Sequence, residues 1–211
     1  MVQNPARRTA LADAAIEVLA REGARGLTFR AVDVQAGVPN GTASNYFANR
    51  DHLLHQTARH IHHRLTPDPE AVADLLRAPR DRALVTALMR DLIRRISADR
   101  AGYLAMLELR LEATRRPELR AQLTGTVREE LEANIAYHLD GGFPGDRQTV
   151  LVLYLAMTGL IVEHLTLPGV LGAKAADSET ADSETLDLGT AGADALAALI
   201  DTIVERIVPA G

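Results

Sequence analysis

The chain has 211 residues, of which 47% are hydrophobic and only 3% aromatic, so aliphatic side chains must fill most of any core. The absence of cysteine excludes a disulfide framework and thiolate chemistry and is compatible with a reducing cytosol. The net charge is −5, yet residues 1–66 hold eight arginines against five acidic residues; this asymmetry suits phosphate contact at one end, or it arises by chance.

Four helices are predicted in the first part of the chain, at residues 4–23, 28–37, 39–46 and 49–66. Asparagine or threonine stands at three of the starts, where its side chain can cap free N–H groups. Proline stands at the first helical position of two helices, where no N–H is needed, and glycine ends the first two helices.

The remainder is also predicted to be helical, and Pro67 and Pro69 separate a domain of residues 1–66 from one of residues 67–211. Its helices are predicted at residues 70–77, 81–98, 100–115, 117–139, 146–167 and 193–208. Residues 150–162 are apolar on nearly every side, so this helix must be buried all round and a partner subunit is expected. Residues 172–189 are predicted to form a disordered loop, and the tandem duplication ADSETADSET at residues 176–185 is interpreted as neutral.

No continuous apolar segment follows Arg7 and Arg8, so no signal peptide is expected. The run at residues 150–162 is shorter than the roughly 20 residues that cross a bilayer as a helix. We therefore expect a cytoplasmic protein without a membrane partner.

The two short helices around Gly37 follow a longer first helix, which is the order of a helix-turn-helix motif. If Ala43 and Phe47 face the core, a rotation of about 100° per residue puts Gly41, Thr42 and Asn45 on the opposite side. Small, hydrogen-bonding side chains there would let the helix approach base edges, and Asn45 could pair with an adenine.

Phosphate contacts are predicted for Thr28 and Arg50, which lie at helix starts where free N–H groups and the helix dipole favour anions. The hydroxyl of Tyr46 could contact phosphate, or its ring could pack in the core, and the residues leave both open. Arg7 and Arg8 form either an arm that enters a minor groove or a frayed helix start.

Residues 7–54, RRTALADAAIEVLAREGARGLTFRAVDVQAGVPNGTASNYFANRDHLL, resemble the DNA-binding domain of TetR-like transcriptional regulators. The shared marks after the apolar-patterned first helix are, in order, Gly23, Thr28, Ala36-Gly37-Val38, Gly41-Thr42, Tyr46-Phe47, Arg50 and Leu53. Residues 103–120 resemble more loosely a segment of the regulatory domains of such proteins.

The sequence departs from the family pattern in three places, one of which is a pair of residues. Pro39 stands where serine is frequent, so the usual hydroxyl cap of the recognition helix is absent. Asp33 stands where a small apolar residue is frequent, and its carboxylate is expected to reach solvent. Ser44-Asn45 replaces a commonly aromatic pair, which affects the base preference rather than the fold.

The resemblance implies an all-α protein of about nine to ten helices, with a three-helix DNA-binding domain before a helical ligand-binding and dimerisation domain. It implies a homodimer, most often a repressor, that binds operator half-sites about one DNA turn apart or a multiple of it and responds to a small-molecule effector. The predicted DNA-binding residues are Thr28, Arg30, Asn40, Gly41, Thr42, Ser44, Asn45, Tyr46 and Arg50.

A ligand pocket is predicted on the middle helices, where apolar side chains mix with a few polar tips. Its predicted lining is Met89, Ile93, Tyr103, Met106, Leu107, Arg110, Tyr137, Tyr154, Met157 and Thr158. Core packing is the alternative for each methionine and leucine, and a solvated or salt-bridged role is the alternative for Arg110. The resemblance places the dimer interface on the last two helices, at Leu153, Leu160, Ile161, His164, Leu196, Leu199, Ile200 and Ile203.

Other functions are less well supported. The histidines at positions 52, 55, 60, 62 and 63 have no carboxylate or cysteine beside them that completes a metal site, so we expect a solvated helix face, no metal and no cofactor. No phosphate loop or nucleophile elbow indicates an enzyme, and Glu163-His164 are expected in the dimer interface or the pocket. A helical dimeric adaptor, or a ligand-binding protein that does not use DNA, stays open as an alternative, although it would not need Arg7, Arg8, Arg30 and Arg50.

Overall fold

The computed structural model describes residues 4–68, 70, 73–171 and 189–210; within them the chain forms eight α-helices of at least seven residues and no β-strand. The helices are α1 (Pro5–Gly26), α2 (Phe29–Gln35), α3 (Arg50–Leu65), α4 (Arg82–Ala98), α5 (Arg100–Ala113), α6 (Pro117–Asp140), α7 (Arg147–Thr166) and α8 (Gly189–Ile207). The all-α prediction is confirmed, but nine to ten helices were too many. Residues 39–46 contain only a short 3-10 turn, Ala43–Asn45. Of the predicted helix at residues 70–77, residues 71 and 72 lie outside the described part of the chain, and Leu75–Arg77 form a second 3-10 turn.

Side chains cap the helix starts that the sequence indicates. The side-chain oxygens of Asn4, Thr28 and Asn49 accept hydrogen bonds from the backbone N–H groups of Arg7, Ala31 and His52, at 3.3, 3.1 and 2.8 Å. α8 begins at Gly189, ahead of the predicted residue 193. Apart from Gly189, the predicted loop at residues 172–189 lies outside the described residues, as does the duplication at residues 176–185.

The chain divides into two compact units. The first contains the described residues up to Asp68 together with Arg95–Glu130, and the second contains the other described residues. The first unit therefore includes α5, which lies well beyond the predicted domain of residues 1–66. The functional division at residue 66 stays a prediction.

The core of the first unit joins α1, α2, α3 and α5. α5 packs along α1 and against α3, while α2 packs on α1. Leu19 of α1, Leu53 of α3 and Leu109 of α5 are all fully buried in this one cluster. The fold of the first 66 residues thus uses apolar side chains that lie more than 30 residues further along the chain.

Two histidines of α3 pair with carboxylates from other helices. His60 Nε2 lies 2.7 Å from Asp13 Oδ1, and His62 Nδ1 lies 2.7 Å from Glu130 Oε1. The side chains of His60 and His62 are only 19% and 16% exposed. The expectation of a solvated histidine face was wrong for these two, because α1 and α6 bring carboxylates that are distant in the sequence.

The second unit contains α7 and α8, which pack against each other. Arg90 of α4 reaches Asp201 of α8 with two guanidinium nitrogens, at 3.0 and 2.6 Å from Oδ1. α7 has 20 residues and a mean hydropathy of 1.6, so by length and composition alone it would suffice to cross a membrane, contrary to the estimate from residues 150–162. Only part of the helix is buried: Leu153 and Ile161 are 6% and 3% exposed, whereas Leu155 is 66% exposed.

The shared core predicts unequal effects of two leucines on α5. Leu109 is fully buried, whereas Leu111 is 57% exposed. We expect Leu109→Ala to lower the free energy of unfolding by about 2–5 kcal/mol, because it leaves a cavity in the core. The matched control Leu111→Ala should change it by less than about 0.5 kcal/mol. Urea denaturation followed by circular dichroism measures both, and equal effects would contradict the assigned core.

Candidate nucleic-acid interface

We call residues 39–47, between α2 and α3, the recognition segment. Gly41 has φ +89°, a left-handed value that an α-helix excludes. The N–H groups of Asn45 and Tyr46 donate to carbonyls three residues earlier, each at 3.0 Å. The predicted α-helix at residues 39–46 is therefore wrong: the segment is a turn that ends in the 3-10 turn Ala43–Asn45.

The recognition segment has a buried side and an exposed polar side. Ala43 and Phe47 are 0% and 1% exposed, which confirms that they face the core. Asn45 is exposed, as expected. Of the predicted DNA-binding residues, those exposed are Thr28, Arg30, Asn40, Gly41, Ser44 and Asn45, and those half-buried are Thr42, Tyr46 and Arg50. Tyr46 packs against the core with part of its ring.

Two hydroxyls of the segment bond to their own backbone. Thr42 Oγ1 donates to the carbonyl of Pro39 at 2.6 Å, and Ser44 Oγ donates to the carbonyl of Gly41 at 2.8 Å. Each hydroxyl thereby uses its one proton and keeps its lone pairs. In this conformation they can accept hydrogen bonds from the amino groups of adenine or cytosine.

Asp33 of α2 is buried, with 1% of its surface exposed. Its Oδ2 accepts a hydrogen bond from the N–H of Gly41 and its Oδ1 one from the N–H of Ala43, both at 2.7 Å. The expectation that this carboxylate reaches solvent was wrong, because the turn brings two backbone donors to it. Pro39 lacks the hydroxyl with which a serine would cap the recognition segment. This absence is the sequence signal that could have suggested a cap from a different side chain.

Arg50 holds the start of α3 to the end of α1. Its guanidinium donates to the carbonyl of Ala24 and, at 3.5 Å, to that of Leu27. It also lies 3.8 Å from Glu112 of α5. The side chain is 39% exposed. Its contact with phosphate stays a prediction, and its bonds to the α1–α2 turn are a second role that the sequence did not indicate.

Sequence reasoning missed two glutamates of α5. Glu108 Oε2 accepts from the N–H of Ala24 at 3.3 Å. It lies 3.0 Å from where a Cβ on Gly23 would stand, and Gly23 has φ +68° inside α1. Ala24 and Glu108 are 84 positions apart, so no local pattern connects them.

Glu112 is the centre of a cluster of arginines. Arg116 Nε donates to Glu112 Oε1 at 2.6 Å and also pairs with Asp51 of α3. The hydrogen bond from Arg116, with the charges of Arg116, Arg50 and Arg115, lowers the pKa of Glu112 below its ordinary value despite its partial burial. The ionised Glu112 therefore connects α5 to α3, through Arg50 and, by way of Arg116, through Asp51.

The predicted pocket residues divide between the two units. Met106 is 5% exposed and belongs to the core of the first unit, which supports its core-packing alternative. Tyr103, Leu107 and Arg110 lie half-buried on the same helix. In the second unit, the hydroxyl of Tyr137 accepts from Arg80 at 3.3 Å. The remaining members there are Met89, Ile93, Tyr154, Met157 and Thr158.

A groove of about 420 Å³ lies in the second unit, between Asp74 and Ala87. Its lining includes Leu75, Pro79 and Leu84, and none of the predicted pocket residues is part of it. The ligand site therefore stays a prediction.

The predicted dimer residues differ in how they are buried within one protomer. Five side chains already lie inside it, being 2–7% exposed: Leu153, Leu160, Ile161, His164 and Ile200. Leu196, Leu199 and Ile203 of α8 are half-buried. On α7 the large exposed side chains are Val152 and Leu155, at 39% and 66%. α7 is thus not enclosed on every side by its own protomer.

Two family models match the chain. Residues 11–57 match "Bacterial regulatory proteins, tetR family", and residues 80–210 match "Tetracyclin repressor-like, C-terminal domain", which alone covers more than half of the sequence. The chain belongs to the TetR family. This TetR-family protein is accordingly a helix-turn-helix transcriptional regulator, as the resemblance of residues 7–54 implied.

Relatives and solved structures agree with the family. The HTH-type transcriptional regulator BetI of Rhizobium meliloti (strain 1021) is 32% identical over 142 residues, 67% of this chain and 68% of that protein. BetI of Agrobacterium fabrum (strain C58) is 29% identical over 180 residues, 84% of this chain and 86% of that protein. The structure of the multidrug binding protein EbrR complexed with imidazole has a TM-score of 0.63 and 25% identity, covering 99% of this chain and 98% of that one.

A further solved structure shows the shared fold alone. A putative transcriptional regulator from Saccharomonospora viridis in complex with choline has a TM-score of 0.65 at 17% identity, covering 98% of this chain and 100% of that one.

The lowered pKa of Glu112 predicts a pH-dependent stability. Its ion pairs stabilise the folded state fully above the ordinary pKa of 4.5, and this contribution is lost as the pH falls through the lowered pKa. We therefore expect Glu112→Gln to be less stable than the wild type at pH 7 and equally stable in strong acid. Urea denaturation across this pH range measures the difference. Glu129→Gln, on the exposed side of α6, is the control, and a Glu112→Gln deficit that is constant with pH would contradict the ion pairs.

Proposed function

We propose that this TetR-family regulator is a homodimeric repressor that binds a palindromic operator with its recognition segment and releases it when a small molecule binds. The observation that carries the proposal is the exposed, small and polar surface of residues 40–45, mounted on the buried side chains of Ala43 and Phe47. We propose no enzymatic role, and we expect the protein to act on DNA in the cytoplasm.

Base contacts are assigned to Thr42, Ser44 and Asn45. A bidentate contact from asparagine suits the N6 and N7 edge of adenine in the major groove. Gly41 has no side chain, so the backbone can come close to the DNA. The hydroxyls of Thr42 and Ser44 already donate to the backbone, which favours their acceptance of hydrogen bonds from base amino groups.

Phosphate contacts surround these residues in the proposal. Thr28, Arg30 and Asn40 are exposed, and all three belong to the first unit. Arg50 and Tyr46 are half-buried, so each can reach phosphate with only part of its side chain. Such contacts position the protein on DNA, while base edges determine the sequence that is bound.

The dimer is assigned to exposed apolar positions of α7 and α8. Val152, Leu155 and Gly159 repeat at helical spacing and are exposed. Leu196, Leu199 and Ile203 form a half-buried apolar row on α8. A second copy would cover both rows and bury them in a symmetric interface. The side chains of Leu153, Leu160, Ile161, His164 and Ile200 would support this surface from inside the protomer.

A small-molecule effector is supported by a similar structure, since EbrR is described as a multidrug binding protein and is complexed with imidazole. On α5, Tyr103, Leu107 and Arg110 share a half-buried face at spacings of four and three residues. We assign this face of α5 to effector binding. A ligand releases the operator only if it binds the DNA-free state more tightly than the DNA-bound state.

The first test is binding to operators selected from the genome, including the promoter region beside the protein's own gene. We expect the double variant Thr42→Ala, Asn45→Ala to lose about tenfold or more in specific affinity, because a bidentate base contact is worth about 1–3 kcal/mol. Its affinity for unrelated DNA should change little, since phosphate contacts remain.

The matched control for the DNA test is Thr124→Ala with Asn134→Ala, which makes the same changes at exposed positions of α6. The control should bind the operator like the wild type. If the wild type binds no DNA even at low salt, the proposal is wrong and the adaptor alternative is favoured.

The second test is the oligomeric state. We expect the wild type to sediment at twice the chain mass of 22.8 kDa and Leu155→Glu to sediment mainly as a monomer, because each copy would bury an unpaired carboxylate in an apolar interface. Leu111→Glu places the same charge at a similarly exposed leucine of α5 and should remain dimeric. A monomeric wild type at micromolar concentration would refute the proposed interface.

A further inference from the structure

We propose that Asp33 is a positioning residue for DNA recognition: its buried carboxylate fixes the backbone on both sides of Thr42 and so sets how Thr42, Ser44 and Asn45 face the operator. The inference rests on the proposed function, because it assigns these side chains to base contacts. To the residues proposed for DNA recognition, the inference adds a residue of α2 that does not itself touch DNA.

The geometry is that of a two-point clamp. One oxygen of Asp33 holds the N–H of Gly41 and the other holds the N–H of Ala43, each at 2.7 Å. Thr42 lies between these two points, and its own N–H donates to the carbonyl of Pro39 at 3.1 Å. Three successive residues of the segment are thus fixed by hydrogen bonds of good length.

A carboxylate suits this position because two backbone N–H groups of the segment, those of Gly41 and Ala43, donate to it. No side chain of the segment caps the 3-10 turn Ala43–Asn45, and Pro39 carries no hydroxyl. Ala43 is fully buried, so its N–H would lose water without gaining a partner if Asp33 were absent. A carboxylate accepts both bonds with charge assistance, and the two N–H groups in turn compensate for its burial.

The clamp also explains how Gly41 is held in its conformation. Its φ of +89° belongs to the left-handed region, which glycine enters readily but does not prefer over others. The bond from its N–H to Asp33 selects this state among those open to glycine. Without it, the polar face of the segment would sample several orientations, and each productive contact with a base would require ordering at the moment of binding.

Two substitutions separate the hydrogen bonds from the shape of the side chain. Asp33→Asn keeps the shape and one acceptor oxygen but turns an amide donor toward one of the two N–H groups. Asp33→Leu keeps a similar shape and removes both acceptors. We expect specific operator affinity to fall about tenfold in Asp33→Asn and further in Asp33→Leu. Affinity for unrelated DNA should be unchanged or slightly higher, because a negative charge has been removed.

The ratio of specific to non-specific affinity is the measured quantity, because a merely destabilising change would lower both affinities in proportion to the folded fraction. Glu22→Gln removes an acidic charge from the same unit at an exposed position and is the control for charge. It should leave the ratio unchanged.

Amide hydrogen exchange of the free protein tests the clamp without DNA. The amides of Gly41 and Ala43 should be protected in the wild type, and at least one should exchange faster in Asp33→Asn. Because the asparagine variant is the milder change, it carries the test if Asp33→Leu does not fold.

The outcomes are distinct. A lowered affinity ratio together with faster exchange supports the inference. If Asp33→Asn binds the operator as tightly as the wild type does, the inference is overturned and the proposed function stays intact. A wild type that does not discriminate any operator from unrelated DNA overturns the proposed function, and the inference with it.

Discussion

The packing of α5 against α1 and α3 is the interaction on which the rest of the first unit depends. A group of about 60 residues buries too little apolar surface to be more than marginally stable alone. Here Met106 and Leu109 enter the same core as Leu19 and Leu53, so the part matched by the N-terminal family model does not contain its whole core. The recognition segment packs on the same core through Ala43 and Phe47, so its position depends partly on the position of α5.

The features that could be predicted from the sequence are those that depend on residues close together in the chain. Asn4, Thr28 and Asn49 cap helices as expected, since a cap depends on residues within one turn, and Ala43 and Phe47 point inward because their spacing is local. The bonds of Asp33 and Glu108 could not be predicted in this way. Asp33 requires the chain to turn back at Gly41, and Glu108 meets Ala24 only after α5 has packed on α1. Periodicity assigned residues 39–46 to an α-helix because it carries no information on the sign of φ at a glycine.

α5 has two faces with different tasks. Met106, Leu109 and Ala113 are buried in the core, while Glu108 and Glu112 bond to Ala24 and to the arginines around Arg50. Tyr103, Leu107 and Arg110 lie half-buried at other positions of the helix. A ligand that contacts Tyr103, Leu107 and Arg110 would bind to one face of α5, while Glu108 on another face of the same helix bonds to Ala24 at the end of α1. Coupling between ligand and DNA then requires only that α5 has two arrangements for which the ligand has different affinities.

Electrostatic attraction cannot carry most of the specificity of this protein. The chain has a net charge of −5, and the recognition segment itself contains no lysine or arginine. Phosphate contacts, including those that the arginines of residues 1–66 can make, carry no sequence information. Discrimination must come from short side chains such as Thr42 and Asn45, whose reach is small and whose contacts fail if the backbone is misplaced. Such short side chains need a rigid backbone to make their contacts. Burying the charge of Asp33 is costly, but the N–H groups of Gly41 and Ala43 stabilise the carboxylate. The same two hydrogen bonds order the recognition segment.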